Sequence, residues 1–571
     1  MEEFSTHTES QGFHTKLWRG ESMCMIGMDV NAPEADLVGF AIEVQAPNST
    51  DFVPLRNRLA FAYPPGTGVT GARQFDSTEA PFQKFRWIHF PKDPQAGIYH
   101  YRVTKMHMPT DGQLVKGLAN TLPISLDPVT YDGKIDVGFT RNFASSQAYA
   151  ERADNRGDIL PATVDEGLQF VKPPGTSALY EWLGFEGRKL VFDFLEDGID
   201  DPNVTLDAFV YDLNESAVVE LLERWGSRLR VIIDDSKNHV EPHTSEQRAA
   251  LRLVNSAGAA NVKRAHFGNL QHNKVLIKKV DGKPAKVLTG STNFSYRGLY
   301  IQANNAITFT IPAMAELFER AFEIGFDRPG DFSTDPLAAV WHKINVAGLP
   351  PIELCLSPHG NNADLSLSPV GDAIRNATTS VFFSIAFFNQ IKSGAVFEAT
   401  QALPGRDIFS YGAVNQVGKS VVTKPDGSMA VVDFSFLAKH SPEPFRSEWF
   451  AGKGINIHNK FVVTDFNTPA ATVFTGSSNL SPSGEKNNGD HLIMIKDQRI
   501  AAAFAIEAVR LFDHLHFRTL MQDAGISHAI SGSDNRIKLR KPRSISGGAA
   551  WFEASFVANS QRERDRKLFA H

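Results

Sequence analysis

Through the first quarter of the chain, apolar residues fall in short alternating or continuous runs bounded by Pro, Gly, Asn and Asp. Strands are expected at residues 17–28, 37–45, 85–90, 97–106 and 134–140. The breaks between them include Asn31-Ala32-Pro33, Tyr63-Pro64-Pro65-Gly66 and Pro109-Thr110-Asp111-Gly112. Short strands at this spacing predict a β-sandwich of immunoglobulin-like size over residues 1–145. Nothing in that stretch gathers into a catalytic cluster, so it reads as an accessory module.

From residue 146 the texture changes. Residues 190–194 and 229–233 read as short apolar strands, and 216–225 and 244–254 carry helical periodicity. Thr244 is placed to cap the second of these helices, with Glu246 in its first turn. Strands alternating with helices predict α/β units around a largely parallel sheet. The aromatic stretch 382–388 reads as a buried strand rather than a lipid-facing surface.

An internal repeat organises the rest. HNKVLIKK begins at His272 and HNKFVVTD at His458. Lys274 and Lys460 stand two positions after each His. At equal offsets follow GSTN, with Gly290, Ser291 and Asn293, and GSSN, with Gly476, Ser477 and Asn479. Gly298 matches Gly484, Asn304 matches Asp490, and a helix is expected from Pro312 and from near Ile500. So many ungapped matches predict two copies of one domain, at 146–345 and 346–525, joined through the Pro-containing segment 347–351. The remainder, 526–571, is expected to pack back on the catalytic units.

The repeated residues suit one chemistry. His-x-Lys is expected on a strand, which turns both side chains to one face. Gly-Ser-x-Asn adds close backbone approach and small hydrogen-bonding groups. Two such halves face to face would surround a phosphate with two ammonium groups, two carboxamides and two imidazoles, as phosphoryl transfer requires. A single His-x-Lys would mean little; two in register, each with Gly-Ser-x-Asn, are specific.

HNKFVVTD and GSSN resemble the signature of the phospholipase D superfamily, His-x-Lys-x4-Asp followed by Gly-Ser-x-Asn, and the resemblance spans roughly residues 146–525. It implies two pseudo-symmetric α/β domains sharing one cleft, preceded by the sandwich. It implies a phosphohistidine on His272, with His458 as acid and then base. Lys274, Lys460, Asn293, Asn479, Ser291 and Ser477 would bind the phosphate. Asp490 would orient His272, and Asn304 would do the same for His458. The first copy departs from the pattern at Lys279, which stands where the signature has Asp; Asp281 is the nearest substitute.

Composition narrows these expectations. The 42% hydrophobic and 21% charged residues are an ordinary globular balance, and the 42 phenylalanines favour cores containing sheets. A net charge of −6 argues against a dedicated nucleic-acid coat protein but leaves room for a basic cleft. Cys24 and Cys355 suggest no disulfide framework and cannot make a cysteine-rich zinc site. The acidic, polar start lacks the form of a signal peptide, and no run has the length of a membrane helix. The expectation is a monomer, cytoplasmic or exported without a cleavable leader.

The resemblance implies a metal-independent hydrolase, without cofactor, acting on a phosphodiester. Phospholipid headgroups come first as substrate, with hydrolysis or transfer and peripheral membrane contact. A nuclease of the same superfamily acting on DNA or RNA is the second expectation, and a catalytically degenerate binding protein the third. Other polar features read as bland: His239, Glu241 and His243 as a solvated loop, His514 and His516 as surface groups ending the last helix, and the basic run 536–543 as a solvated tail. Trp551, Phe552, Phe556 and Phe569 are expected to pack against the catalytic units.

Overall fold

The computed structural model describes residues 3–63, 74–416, 423–425, 427–434, 455–531 and 538–571, with the side chains of Gln147 and of residues 516–531 also outside the described set. Those limits exclude the expected turn at Pro64-Pro65-Gly66, the His516 side chain and Arg536.

The first region is a sandwich of two antiparallel four-stranded sheets. In spatial order one runs Ser5–Ser10, Phe13–Arg19, Cys24–Val30, Arg86–His89, and the other Val115–Ser125, Ile98–His107, Leu37–Gln45, Val53–Pro54. Their inner faces bury Phe13, Leu17, Ile26, Phe40, Tyr101 and Val103. The single strand expected at 17–28 is a hairpin, because Arg19 pairs with Cys24 across a tight turn. Ser5–Ser10 and Val115–Ser125 carry too many polar or small residues to announce themselves.

Two mixed sheets follow. The first runs Ile135–Phe139, Asn305–Phe309, Lys283–Gly290, Val275–Val280, Val204–Val210, Leu229–Ile233, Val262–Arg264. The second runs His342–Ile344, Ile352–Ser357, Asp490–Ile495, Thr472–Gly476, Lys460–Thr464, Ser380–Ile385, Phe409–Val414, Val431–Asp433. Apart from its extra edge strand, the second order repeats the first strand for strand. Only the last three strands of each sheet are mutually parallel. The largely parallel sheet expected from βαβ units is therefore a mixed one: in the first unit, for example, the motif strand turns straight back through Asp281-Gly282, both at positive φ, into an antiparallel neighbour.

Three expectations change here. Ile135–Phe139, expected in the β module, pairs with Asn305–Phe309 as the edge of the first α/β sheet, the counterpart of Ile352–Ser357. Residues 190–194 lie in the helix Ser177–Glu196, where Val191, Phe194 and Leu195 are buried on the sheet; an apolar run this short cannot distinguish strand from helix. Asp281 sits in a turn, and Lys279 forms ion pairs with Asp207 at 2.6 Å and Glu319 at 3.4 Å. In the second unit Asp465 instead accepts the backbone N–H groups of Thr378, Thr379 and Ser380. The signature Asp thus fastens a loop, and the first unit replaces that fastening with an ion-pair cluster.

The helices expected from Pro312 and near Ile500 are Pro312–Asp327 and Gln498–Ser531, packed against their own sheets within one continuous core. Because the second runs on to Ser531, His514 lies within it, half-buried against Phe143, rather than at its end. Phe382, Phe383 and Phe388 are buried, so their rings form no lipid-facing surface.

The C-terminal segment is not a solvated tail. Leu539 N–H donates to Ala60 O, and Arg540 exchanges hydrogen bonds with Gln83. Trp551, Phe552 and Phe556 enter the sandwich core rather than the catalytic units. The helix Gln561–Ala570 then lies between the sandwich and the second sheet, with Trp18 Nε1 donating to Phe569 O at 2.8 Å and the Phe569 ring among Phe382, Phe409 and Phe466. Among the described residues no helix is long and apolar enough to cross a membrane.

Candidate active site

Both His-x-Lys motifs sit where their sheets meet. The expected strand placement holds only for Lys460: His272 and Lys274 lie just before the strand Val275–Val280, and Lys460 opens the strand Lys460–Thr464 with His458 before it. Each histidine's backbone is stitched to the other unit. His272 N–H donates to Gly489 O at 2.8 Å and His458 N–H to Ala303 O at 3.0 Å. Gly489 precedes Asp490 and Ala303 precedes Asn304, so these bonds bring each acceptor side chain to the opposite ring.

His272 Nδ1 lies 2.7 Å from Asp490 Oδ1, and His458 Nδ1 lies 2.9 Å from Asn304 Oδ1. Both acceptors are steadied alike. Ser477 Oγ donates to Asp490 Oδ1 at 2.7 Å and Ser291 Oγ to Asn304 Oδ1 at 2.8 Å. The two serines were expected on the phosphate; here their hydroxyls hold the histidines' partners. A second layer repeats the crossing: Asn273 Oδ1 lies 2.7 Å from His491 Nδ1, and Asn305 Nδ2 donates to Asn459 Oδ1 at 3.1 Å. Gly290 at φ 136° and Gly476 at φ 149° begin the Gly-Ser-x-Asn turns; a Cβ on either would meet a carbonyl oxygen at 2.4 Å.

The expected phosphate ligands are gathered here too. Lys460 Nζ donates to His458 Nε2 at 3.0 Å, and Lys274 Nζ donates to the His272 carbonyl. Asn293 Oδ1 and Asn479 Oδ1 are buried without a partner, as is Asp490 Oδ2. His272, Lys274, Asn293, His458 and Lys460 are all buried.

Burial sets the electrostatics. It lowers Lys274 to about 8, and burial together with the Lys274 charge takes Lys460 well below its ordinary value. Burial also lowers His272, with Asp490 opposing. It lowers His458 further, aided by Lys460, Lys274 and His272 and opposed by the Asp212 charge, while the group at Nδ1 is the Asn304 amide. Asp490 is pushed up by burial but held down, at about 2, by the charge and hydrogen bond of His272. An empty cleft therefore disfavours its own positive charges, and an entering anion relieves that cost.

One part of the site escaped the sequence. His239, read as a solvated loop residue, is buried; His243 is exposed as expected. His239 Nδ1 lies 2.7 Å from Asp234 Oδ2, and its Nε2 3.2 Å from Asp212 Oδ1. Asp234 Oδ1 accepts Gln271 N–H at 2.7 Å, and Asp212 Oδ2 accepts Asn293 Nδ2 at 2.5 Å. This chain joins the segment before His272 to the Gly-Ser-x-Asn turn. Burial opposes charge on His239, but the hydrogen bonds its ring N–H groups donate to Asp212 and Asp234, with the charge of Glu246, raise it to about 10. Asn415 occupies the place of Asp234 in the second unit, accepting Asn456 N–H at 2.9 Å. The available signal was position: Tyr211-Asp212 and Asp234 directly follow parallel strands, at the carboxyl ends where α/β sheets open their crevices.

Asp212, His239 and Glu246 bring potential metal-ligand atoms within 4.8 Å of one another. Each already has a neighbour: His239 Nε2 lies against Asp212, and Glu246 Oε1 accepts Leu213 N–H at 3.0 Å.

Residues 199–324 match the family model described as "Cardiolipin synthase, PLD-like domain". That stretch contains His272, Lys274, Asn293 and Asn304, and is a phospholipase D-like domain. The match places residues 199–324 in the phospholipase D superfamily.

Comparison with curated proteins finds no match. Among solved structures, the chain is similar to the polyphosphate kinase of Porphyromonas gingivalis at 12% identity and a TM-score of 0.39, over 58% of this chain and 48% of that one. It thus spans about half the length of that kinase. It is also similar to Nuc of Salmonella typhimurium, a phospholipase D family member, at 22% identity and a TM-score of 0.20, over 25% of this chain and 88% of that one. A variant of yeast tyrosyl-DNA phosphodiesterase matches at 13% identity and a TM-score of 0.31, over 53% of this chain and 86% of that one.

Proposed function

We propose that the protein is a phosphodiesterase that works through a covalent phosphohistidine, with phospholipid headgroups as its substrate class. The observation that carries the reading is the exchange of partners, in which each histidine's Nδ1 is held by an acceptor on the opposite unit. His272 Nε2 is thereby left for chemistry, as is His458 Nε2 once a bound phosphate draws away the Lys460 ammonium that donates to it in the empty site.

His272 is the nucleophile. Its Nδ1–H is held by a carboxylate, which leaves the Nε2 lone pair free and stabilises the cationic ring once phosphorus is attached. The Nε2–P bond forms as the P–O bond to the leaving alcohol breaks, and His458 Nε2 gives that oxygen its proton. His458 then takes a proton from water as the water oxygen attacks phosphorus and the N–P bond breaks. An amide partner suits this second role, since it leaves the imidazolium a stronger acid than a carboxylate would. Lys274, Lys460, Asn293 and Asn479 hold the equatorial oxygens. The two ammonium groups supply the charge a divalent ion would otherwise bring, so turnover survives EDTA. The acidic chain favours a lipid headgroup over a polyanion.

Alkaline quench during turnover of a phosphorus-labelled substrate is expected to leave base-stable, acid-labile label on the wild-type chain and on His458→Asn, and none on His272→Asn. The opposite pattern reverses the two roles, and an unlabelled wild type defeats the reading. A panel of phosphatidylcholine, phosphatidylethanolamine, bis-p-nitrophenyl phosphate and single- and double-stranded DNA tests the substrate class. Cleavage of DNA alone transfers the reading to a nuclease.

A further inference from the structure

We propose that His491 is a positioning residue for the nucleophile: its ring aims the Ser477 hydroxyl at Asp490, and through that carboxylate holds His272 for attack. The inference rests on the phosphodiesterase reading and adds a residue to that site.

His491 follows Asp490 in the strand Asp490–Ile495 and is buried, with Phe318 of the helix Pro312–Asp327 edge-on to its ring. Both ring nitrogens reach the other unit. Nδ1 lies 2.7 Å from Oδ1 of Asn273, the neighbour of His272, and Nε2 lies 2.5 Å from Oγ1 of Thr289, the neighbour of Gly290. Burial pushes His491 down to about 3, assisted by the charges of Lys274 and His272 and opposed by Asp490, so the ring is neutral and carries one proton.

The neighbours settle where that proton sits. Asn273 Oδ1 can only accept, which assigns the proton to Nδ1 and leaves Nε2 to accept from the Thr289 hydroxyl. Ser477 Oγ faces the same Nδ1 at 3.2 Å and accepts the His491 backbone N–H at 3.1 Å. Met by N–H groups on that side, the Ser477 hydroxyl sends its own proton to Asp490 Oδ1, 2.7 Å away. The opposite tautomer would offer Ser477 a lone pair at Nδ1 and draw that proton off the carboxylate. Thr289 thus sets the tautomer, the tautomer sets the hydroxyl, and the hydroxyl steadies Asp490.

The carboxylate depends on that hold. Its Oδ1 meets both Ser477 and His272 Nδ1, while among the described residues Asp490 Oδ2 has no hydrogen-bond partner. The first unit has only the backbone half of the device. Ser291 Oγ accepts Asn305 N–H at 3.0 Å, but the Asn305 side chain turns to Asn459 at 3.1 Å and Thr475 at 3.5 Å. The ring therefore serves the acceptor that orients the nucleophile.

The test uses intact chains: wild type, His491→Leu, His491→Asn, Ser477→Ala, and His491→Leu combined with Ser477→Ala. It reads hydrolysis of bis-p-nitrophenyl phosphate together with the low-field proton NMR resonance of His272 Nδ1–H, which needs no turnover and is assigned by its loss in His272→Gln. His491→Leu is expected to shift the resonance and to lower kcat about tenfold with KM within about twofold, the scale of one hydrogen bond to a charged group. His491→Asn, whose amide N–H can replace Nδ1–H, is expected to recover most of both. In the Ser477→Ala background His491→Leu should cost nothing further, because its route is already cut. If His491→Leu does not fold, Thr289→Val, which removes only the hydroxyl that sets the tautomer, is expected to shift the resonance. A resonance left unmoved in the variant that folds, equal losses in the Leu and Asn variants, or losses that add across the double substitution overturn the proposal. Wild type that shows the resonance yet hydrolyses no diester defeats the phosphodiesterase reading instead.

Discussion

Asp490 and His272 stand 218 positions apart in the chain, yet Oδ1 of one lies 2.7 Å from Nδ1 of the other. The carboxylate fixes the ring's tautomer and balances the charge the ring acquires on phosphorylation. Asp490→Asn keeps the shape and removes the charge. Its kcat is expected to fall by about 10²- to 10⁴-fold, the usual scale for a group governing proton position, with KM changing far less. Steady-state kinetics on protein verified as folded checks this.

Asn304→Asp makes the reverse change across the cleft. A carboxylate against His458 Nδ1, 2.9 Å away in the native pair, favours the imidazolium and raises a group that burial and two lysines now depress. The alkaline limb of the pH profile, where the acid loses its proton, is expected to move up by about one unit or more. A limb that stays in place would remove His458 from the acid's role.

His239 ties a stability signature to pH. Its charged form is favoured in the folded state, with its pKa raised from 6.5 to about 10. The stability it contributes is fully present below pH 6.5 and is lost as pH rises through about 10. The Tm difference between wild type and His239→Gln should therefore shrink steadily across that window in thermal melts.

Gly27 tests the C-terminal helix. A Cβ there would lie 2.1 Å from Phe569 O, and backbone cannot yield as a side-chain end can. Gly27→Ala is expected to cost about 1–3 kcal/mol in urea unfolding, the range for overpacked cores. Faster proteolysis near residues 561–570 should accompany it.

Much of the site was legible because its parts are short-range motifs copied twice. His272, Lys274, Gly290 and Asn293 lie within one strand–turn–strand segment, so spacing alone aligns them with their counterparts. The partnering of Asp490 with His272 was reachable only through the family resemblance, since nothing local to Asp490 points to a ring 218 positions away. The Asp212–His239–Asp234 chain had no such guide. Its members sit on two separate loops, and HVEPH reads as polar surface until the fold buries its first histidine. Residues 190–194 failed for another reason: five apolar residues fit a buried strand and a buried helical turn equally well. The strand at 135–139 was correctly placed in sequence yet joined the neighbouring sheet, because alternation predicts an element and not its partner.

The exchange of acceptors between the two units makes their fates interdependent. A lesion in either copy reaches the imidazole of the other, so paired substitutions such as those at Asp490 and His272 should be epistatic rather than additive. A genetically severed half would keep its own ring but lose the group that orients it, and activity would return only by fragment complementation. Neither copy is free to drift alone.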